Sequence, residues 1–487
     1  MSAEFETVIG LECHVELSTA TKMFCGCRNE FGAPPNTNVC PVCLGHPGSL
    51  PVPNEKAIEY IVRIGLALDC DIARHSLFHR KNYFYPDMPK NFQISQYDLP
   101  ICVGGHLDVE VDGALRRIGI TRVHMEEDTG KTTHAGTTGR IAQADYALVD
   151  YNRAGVPLVE VVSEPDMRSP EEARAYLTEL RATLEALGVS DVRMEEGSLR
   201  CDANISVRPH GHTDLGVKVE IKNLNSIRSL ERALRYEQER QFGALRKGAP
   251  LTQETRHFDE NRGTTHTLRS KEEAFDYRYF PEPDLPPLEP DREWVEGIRA
   301  SLPELPAARR ARLVRELGLK AELGAMIGSD SKATDYLDRA VAAGAPAGGT
   351  AVWMTQDPAG YLNRTGEDWS DLAIKFPPDA AADLLRRVED GELSSTGSKA
   401  AFEFVVTSGR PLAQVIDEEG LRQVSDTSSL EAWVDEAIAE NPGPVEQFRG
   451  GKEGVLGFLV GRVMKRSGGS ANPKVVSDLL RARLSGS

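Results

Sequence analysis

Across residues 7–17 (TVIGLECHVEL) the chain alternates without a break. Ile9, Leu11, Cys13, Val15 and Leu17 fall on one side, and Glu12, His14 and Glu16 on the other. A period of two is the mark of a β-strand with one face buried, because successive Cβ atoms of a strand point to opposite faces. Two carboxylates and an imidazole at successive positions of one face crowd like groups together unless a cation sits among them. For a single strand, a solvated outer face is the plainer reading.

The same pattern recurs. Residues 199–207 set Leu199, Cys201, Ala203, Ile205 and Val207 against Arg200, Asp202, Asn204 and Ser206. Residues 217–221 place Lys218 and Glu220 outward, and the turn PHGHTDLG between the two segments points to a hairpin. Residues 118–126 carry His124 and Glu126 on one face, with Glu127 and Asp128 following. Residues 158–162 (LVEVV) are apolar except for Glu160, a carboxylate that is costly to bury unless paired or metal-bound. Several antiparallel strands would thus share one apolar face and one face rich in Glu, His, Asn, Arg and Lys. Oxygen-rich clusters favour Mg²⁺ over zinc, and Mg²⁺ held by one or two carboxylates usually also binds phosphates. Arg and Lys would serve the phosphate oxygens. The residues therefore point to metal-assisted phosphoryl transfer on a sheet. Gly130-Lys131-Thr132 resembles the end of a P-loop, but the glycine required five residues earlier is Met125, so that reading fails.

Four of the eight cysteines, Cys25, Cys27, Cys40 and Cys43, are spaced C-x-C-x12-C-x2-C. This suits a structural zinc knuckle with four thiolates. Cys13, Cys70, Cys102 and Cys201 read as packing residues. No apolar run approaches the roughly 18 residues of a membrane span, and the first eight residues lack the apolar core of a secretory signal, so a cytoplasmic location is expected. The net charge of −17 argues mildly against an RNA-binding protein, but its distribution does not. Residues 448–487 carry eight basic side chains against Glu453 and Asp478 alone, an asymmetry that marks an anionic partner.

Amphipathic helices are expected at residues 54–68 and 170–187. The proline-rich segment 280–290 (FPEPDLPPLEP) reads as a domain boundary, after which the chain turns helical. A Ser/Gly-rich stretch at 393–398 (LSSTGS) suggests a second joint. This divides the chain into a sheet-rich domain (1–292, with the knuckle at 25–43), a helical domain (293–396) and a helical tail (397–487).

Longer motifs add a resemblance. ETVIGLECHVEL (6–17), RKNYFYPDMPKNFQISQYD (80–98), ITRVHMEEDTGK (120–131), PLVEVVSEPDMRSP (157–170), RMEEGSLRCDANIS (193–206), EIKNLNS (220–226), DYRYFPEPD (276–284), GKEGVLGFLVGRVMK (451–465) and ANPKVV (471–476) together resemble the B-subunit family of the bacterial aspartyl/glutamyl-tRNA amidotransferase. The resemblance spans essentially the whole chain. It implies an α+β fold: a cradle domain with a mainly antiparallel sheet similar to glutamine synthetase, then an all-helical domain and a small helical tail similar to the YqeY proteins. It implies a ligase component that uses ATP to phosphorylate the side-chain carboxylate of Glu-tRNA(Gln) or Asp-tRNA(Asn). Ammonia, made from glutamine by a partner A subunit, then displaces phosphate, and a small C subunit completes a heterotrimer.

Carried onto this chain, the resemblance implies a Mg²⁺ site at Glu12, His14, Glu127 and Glu160. Glu126 is an adjacent alternative to Glu127, and strand phase favours Glu126. Asp202, Asn204 and Glu220 would serve a second cation or the nucleotide, and Arg200, Lys81 and Lys90 phosphate or the acceptor stem. Tyr83, Tyr85 and Gln93 would touch adenosine at the RNA 3′ end, with Phe84 and Phe92 in the core. Cys25, Cys27, Cys40 and Cys43 would hold structural zinc, and Arg462, Lys465, Arg466 and Lys474 would meet tRNA backbone. A free-standing amide ligase on a small acid and a non-catalytic tRNA-binding scaffold are the competing readings.

Overall fold

The computed structural model describes residues 5–135, 145–270, 276–423, 427–467 and 471–485. The chain divides into two compact units between Leu305 and Pro306. The first holds the strands β1 (Phe5–Glu16), β2 (Asp71–Ile72), β3 (His79–Asn82), β4 (Phe92–Ser95), β5 (Cys102–Val103), β6 (His106–Val111), β7 (Ala114–Glu127), β8 (Lys131–Ala135), β9 (Tyr146–Asp150), β10 (Pro157–Ser163), β11 (Leu199–Pro209), β12 (Val219–Leu224), β13 (Glu254–Asp259), β14 (Thr264–Ser270) and β15 (Phe280–Pro281). The main sheet runs β14-β13-β12-β11-β1-β10-β7-β4-β3-β15, while β8 and β9 pair separately. The β12–β13 pair is parallel and the other pairs of the path are antiparallel, which is the mainly antiparallel sheet expected.

The alternation of β1 fixes which face is covered. Ile9, Leu11, Cys13 and Val15 are 0–1 % exposed and pack with helices α1 (Glu55–Ala67), α2 (Pro170–Leu187), α3 (Ile227–Arg246) and α4 (Arg292–Ala300). Cys70, Cys102 and Cys201 join the same core. The helix ends are set locally. Asn54 Oδ1 accepts the Lys56 and Ala57 N–H groups, and α2 begins at Ser169-Pro170 and stops at Gly188 with φ 66°. The opposite face of the sheet keeps its polar rows.

One bulge matters for function. Val162 of β10 pairs with Arg122, but Ser163 pairs with Ile120, so Thr121 is the extra residue. Ile118 and Ile120 face the core before it, and Val123 and Met125 face the core after it. Arg122, His124 and Glu126 are thereby left on the polar face.

The proline-rich segment packs into the first unit. Phe280 and Pro281 pair with β3, Leu288 bridges to Ser76, and Leu285 is buried in the core. The 292/293 boundary falls at the start of α4, whose Val295 and Ile298 belong to the same core.

The second unit holds two helical cores. One spans Leu313 to Ile416, around Trp353, Phe376 and Phe402 with ring centroids 5.1–5.8 Å apart. The other gathers Leu430, Val434, Leu459, Val463, Val476 and Leu480. The expected 396/397 joint falls inside the helix Ser395–Ser408, whose Phe402 and Val405 pack into the first of these cores. The serines there begin that helix, because Ser394 Oγ accepts the Gly397 N–H at 2.9 Å. The change of core comes later, between Ile416 and Leu430.

Candidate active site

Strand register builds the polar face. His14 lies opposite Arg200 on β11 and Glu160 on β10, and Glu160 lies opposite His124 on β7. Antiparallel partners directly opposite share a face, so these four form one row. Glu160 Oε2 is 3.8 Å from His14 Nε2 and 3.2 Å from His124 Nε2, and His124 Nε2 is 3.3 Å from Glu126 Oε1. Ser95 Oγ donates to Glu126 Oε1 at 2.8 Å and Gln93 Nε2 to its other oxygen at 3.2 Å. Ligand atoms of His14, Glu126 and Glu160 lie within 4.8 Å of one another.

The charges explain why the cluster is tolerable. Burial opposes a charged His124, but its hydrogen bonds to Glu126 and Glu160 outweigh that and lift its pKa to about 9. Burial likewise opposes charge on Glu126 and Glu160, yet the His124 bonds, with His14 near both and Lys81 near Glu126, hold both below the usual carboxylate range. Two ionised carboxylates beside an imidazole suit a hard divalent cation.

The expected ligands separate. Glu127 sits in the opposite phase from Glu126. Its carboxylate accepts the Ile94 N–H at 2.9 Å and pairs with Lys90. It is therefore not grouped with His14 and Glu160, and Glu126 stands in its place. Glu12 also lies outside that group, accepting from Asn204 Nδ2 at 2.9 Å. Asn204 Oδ1 is buried without a partner among the described residues. Asp202 and Glu220 already share a cation, Lys222, at 2.5 and 3.2 Å, and Glu220 also takes the Thr255 hydroxyl. Arg200 is anchored on Asp128 at 2.6 Å, while its Nε–H has no partner among the described residues. Next to that pair, burial and the Asp128 charge push Glu16 up to about 8.

Lys81 lies over the Tyr277 ring at 5.0 Å, and Tyr83 meets that ring edge-on at 6.2 Å. Tyr85 and Phe84 are both exposed, so Phe84 is not a core residue: the chain has left β3 at Asn82 and turns outward. Phe92 is half-buried under the Arg80 guanidinium at 4.2 Å. Gln93 is buried and spends its amide on Glu126 and the Glu127 carbonyl.

The four knuckle cysteines also converge within 4.8 Å. The Cys40 and Cys43 sulfurs are 3.9 Å apart, close to the edge of a tetrahedron with Zn–S bonds of about 2.3 Å. The Cys40 N–H donates to Cys43 Sγ at 3.1 Å. A lysine the motif does not reveal, Lys22, is wholly buried with Nζ 3.8 Å from Cys43 Sγ. The Cys25 thiol, together with the Cys40 N–H and Lys22, draws Cys43 down to about 5 against the opposing effect of burial. A donor set of four thiols with a cation behind it fits zinc. A cavity of about 280 Å³ is lined by Cys25 and Cys43 of the knuckle and by the Lys90–Glu127 pair.

In the tail, Arg462, Lys465 and Lys474 are exposed, and Arg462 stacks over Phe458. Arg466 is already paired with Glu436 at 2.6 Å and Glu440 at 2.9 Å, carboxylates of the helix Thr427–Glu440 that packs beside it.

Comparison with known proteins gives a consistent result. The family pattern of the GatB/GatE catalytic domain matches residues 7–296, and that of the GatB domain matches residues 335–484. A Frankia casuarinae protein, named as the B subunit of aspartyl/glutamyl-tRNA(Asn/Gln) amidotransferase, is 55% identical over 489 residues, covering 99% of this chain and 96% of its own. Proteins of the same name from Moorella thermoacetica and Carboxydothermus hydrogenoformans are 53% and 51% identical over 481 residues, with 99% of this chain covered in each case and 100% and 99% of theirs. Among the described residues no helix is long and apolar enough to cross a membrane.

Proposed function

The chain belongs to the family of aspartyl/glutamyl-tRNA(Asn/Gln) amidotransferase B subunits, and from that premise we propose that it activates the side-chain carboxylate of a tRNA-bound Glu or Asp with ATP, for amidation within a complex. It is the ligase component of that complex. A partner A subunit supplies ammonia from glutamine, and a small C subunit completes the assembly in the cytoplasm. The observation that carries the choice of site is the His14–Glu126–Glu160 group on the polar face of the sheet.

In this reading His14, Glu126 and Glu160 hold Mg²⁺, which when bound offsets the negative charge of the triphosphate and of the substrate carboxylate. Ser95, Gln93 and His124 fix the Glu126 oxygens, so the donor set is arranged in advance. Arg200, held by Asp128, presents its guanidinium at the row of His14 toward phosphate oxygens. A carboxylate oxygen of the substrate attacks the γ-phosphorus, and the bond to the bridging oxygen breaks with ADP leaving. Ammonia then attacks the acyl carbon, phosphate leaves, and a proton lost from nitrogen completes the amide. Zinc at Cys25, Cys27, Cys40 and Cys43 ties the loop between β1 and α1, and Lys22 offsets thiolate charge there. The exposed Arg462, Lys465 and Lys474 contact RNA phosphates.

The test is amidation of Asp-tRNA(Asn) and Glu-tRNA(Gln) by the reconstituted complex carrying His14→Ala. Loss of ATP-dependent amidation on both RNAs, with the fold retained, is expected. Full activity would end this reading of the site.

A further inference from the structure

Beside the carboxylate–imidazole cluster, the sheet carries an aromatic array that the reaction chemistry does not use. The Tyr97 and Tyr279 rings stack with centroids 4.2 Å apart and planes 7° from parallel. Tyr277 meets Tyr279 edge-on at 6.0 Å. Register places the stack on the polar face. Tyr97 lies two residues beyond Ser95, which pairs with Glu126, and Tyr279 precedes Phe280, which pairs with Arg80, so it shares the phase of Lys81. Burial, and then the charges of Glu126 and Glu160, raise the Tyr279 phenol well above its usual range, which puts the ring within electrostatic reach of the cluster.

Two features set this array apart from ordinary edge packing. Tyr97 is 56% exposed, although an aromatic ring in a simple packing role would be covered. Between Tyr277 and Tyr279, Arg278 adopts φ 44°, a left-handed conformation that costs free energy in a residue with a side chain. It is held there by hydrogen bonds. Asn82 Nδ2 donates to the Arg278 carbonyl at 2.8 Å, and the Arg278 N–H donates to Asp276 at 2.9 Å. These bonds fix the backbone between the two tyrosines.

We propose that Tyr97 and Tyr279 form a stacking platform for the single-stranded 3′ end of the acceptor RNA. This rests on the reading of the chain as acting on an amino acid esterified to RNA. The side-chain carboxylate of that amino acid must reach His14, Glu126 and Glu160, so the last nucleotides must pass beside that cluster. Sequence-tolerant stacking of a base on a tyrosine face is the mode by which proteins hold unpaired RNA ends. The Lys81 ammonium over Tyr277 adds a positive charge for the backbone beside it.

The experiment is a cycle on binding alone, without ATP, so that it is independent of the metal reading. The reconstituted complex with wild-type chain, Tyr97→Ala or Tyr97→Phe is titrated with an uncharged tRNA, intact or lacking its terminal nucleotide. Tyr97→Ala and removal of the nucleotide are each expected to weaken binding roughly ten-fold. Together they are expected to cost no more than either alone, and Tyr97→Phe to bind as wild type. Losses that multiply, or a phenylalanine variant as weak as alanine, would overturn the platform. So would a Tyr97→Ala variant that raises the KM for ATP while binding RNA normally. If His14→Ala kept its amidation activity while this cycle behaved as expected, the metal reading would fail and the platform would stand.

Discussion

The cysteine knuckle and the carboxylate–imidazole cluster both draw metal-ligating side chains within 4.8 Å, but they are built in opposite ways. The knuckle comes from one loop, 25–43, and needs only short-range turns. The cluster takes one residue from each of β1, β7 and β10, and depends on the register of a sheet whose strands lie far apart in sequence. The knuckle has a full lysine charge behind it, while the cluster balances itself through His124 between two carboxylates. A local site of closed thiolates is suited to holding a loop. A site assembled on an open sheet face leaves room for substrates.

Substitutions can break or sharpen this contrast. The largest effect is expected from Glu160→Gln, which removes one of two carboxylates from the cluster. Amidation by the complex should fall at least ~100-fold with little change in melting temperature. A comparable loss of stability would mean that Glu160 serves packing instead. Cys25→Ser is expected to do the reverse. Zinc content, measured by elemental analysis, should drop from one per chain, and the chain should lose several kcal/mol of stability. Glu127→Gln strands the Lys90 charge among buried neighbours and should destabilise by ~3–5 kcal/mol on denaturant unfolding. Its Mg²⁺ requirement should stay that of wild type, which separates it from Glu126. Lys22→Met is expected to weaken zinc retention ~10- to 100-fold in a chelator competition, with amidation intact when zinc is in excess. The smallest effect belongs to the tail. Lys465→Ala should lower the slope of log affinity for tRNA against log salt by about one. Arg466→Ala should change it less, because Glu436 and Glu440 already hold that guanidinium.

What could be read from the sequence follows the same division. Period-two alternation identified the covered and polar faces of β1 and β11, and cysteine spacing identified the residues that converge in the knuckle. Lys22 carried no signal, because one lysine before a cysteine loop looks like any other until its burial is known. The choice between Glu126 and Glu127 turned on strand phase. Strict alternation through 118–126 would have set Ile118 and Ile120 on the face of His124, and the bulge at Thr121 removes that conflict. A bulge is a property of two paired strands and leaves little trace in one. The stretches read as joints are a related case. Proline-rich and serine-rich stretches resemble linkers, but 280–290 adds an edge strand and Ser394 caps a helix. The charge of the tail was legible, but its pairing to the Thr427–Glu440 helix was not, since that needs the packing of helices separated in the chain.

The proposed carboxylate activation on the sheet face depends on Glu126, together with His14 and Glu160, holding the cation that assists it. The decisive experiment is amidation by the reconstituted complex against Mg²⁺ concentration, with wild type, Glu126→Gln and Glu127→Gln side by side. Glu126→Gln is expected to need at least ~10-fold more Mg²⁺ and to turn over more slowly at saturation, with Glu127→Gln following the wild-type curve. A Glu126→Gln variant with the wild-type Mg²⁺ dependence, and a Glu127→Gln variant without it, would contradict that assignment.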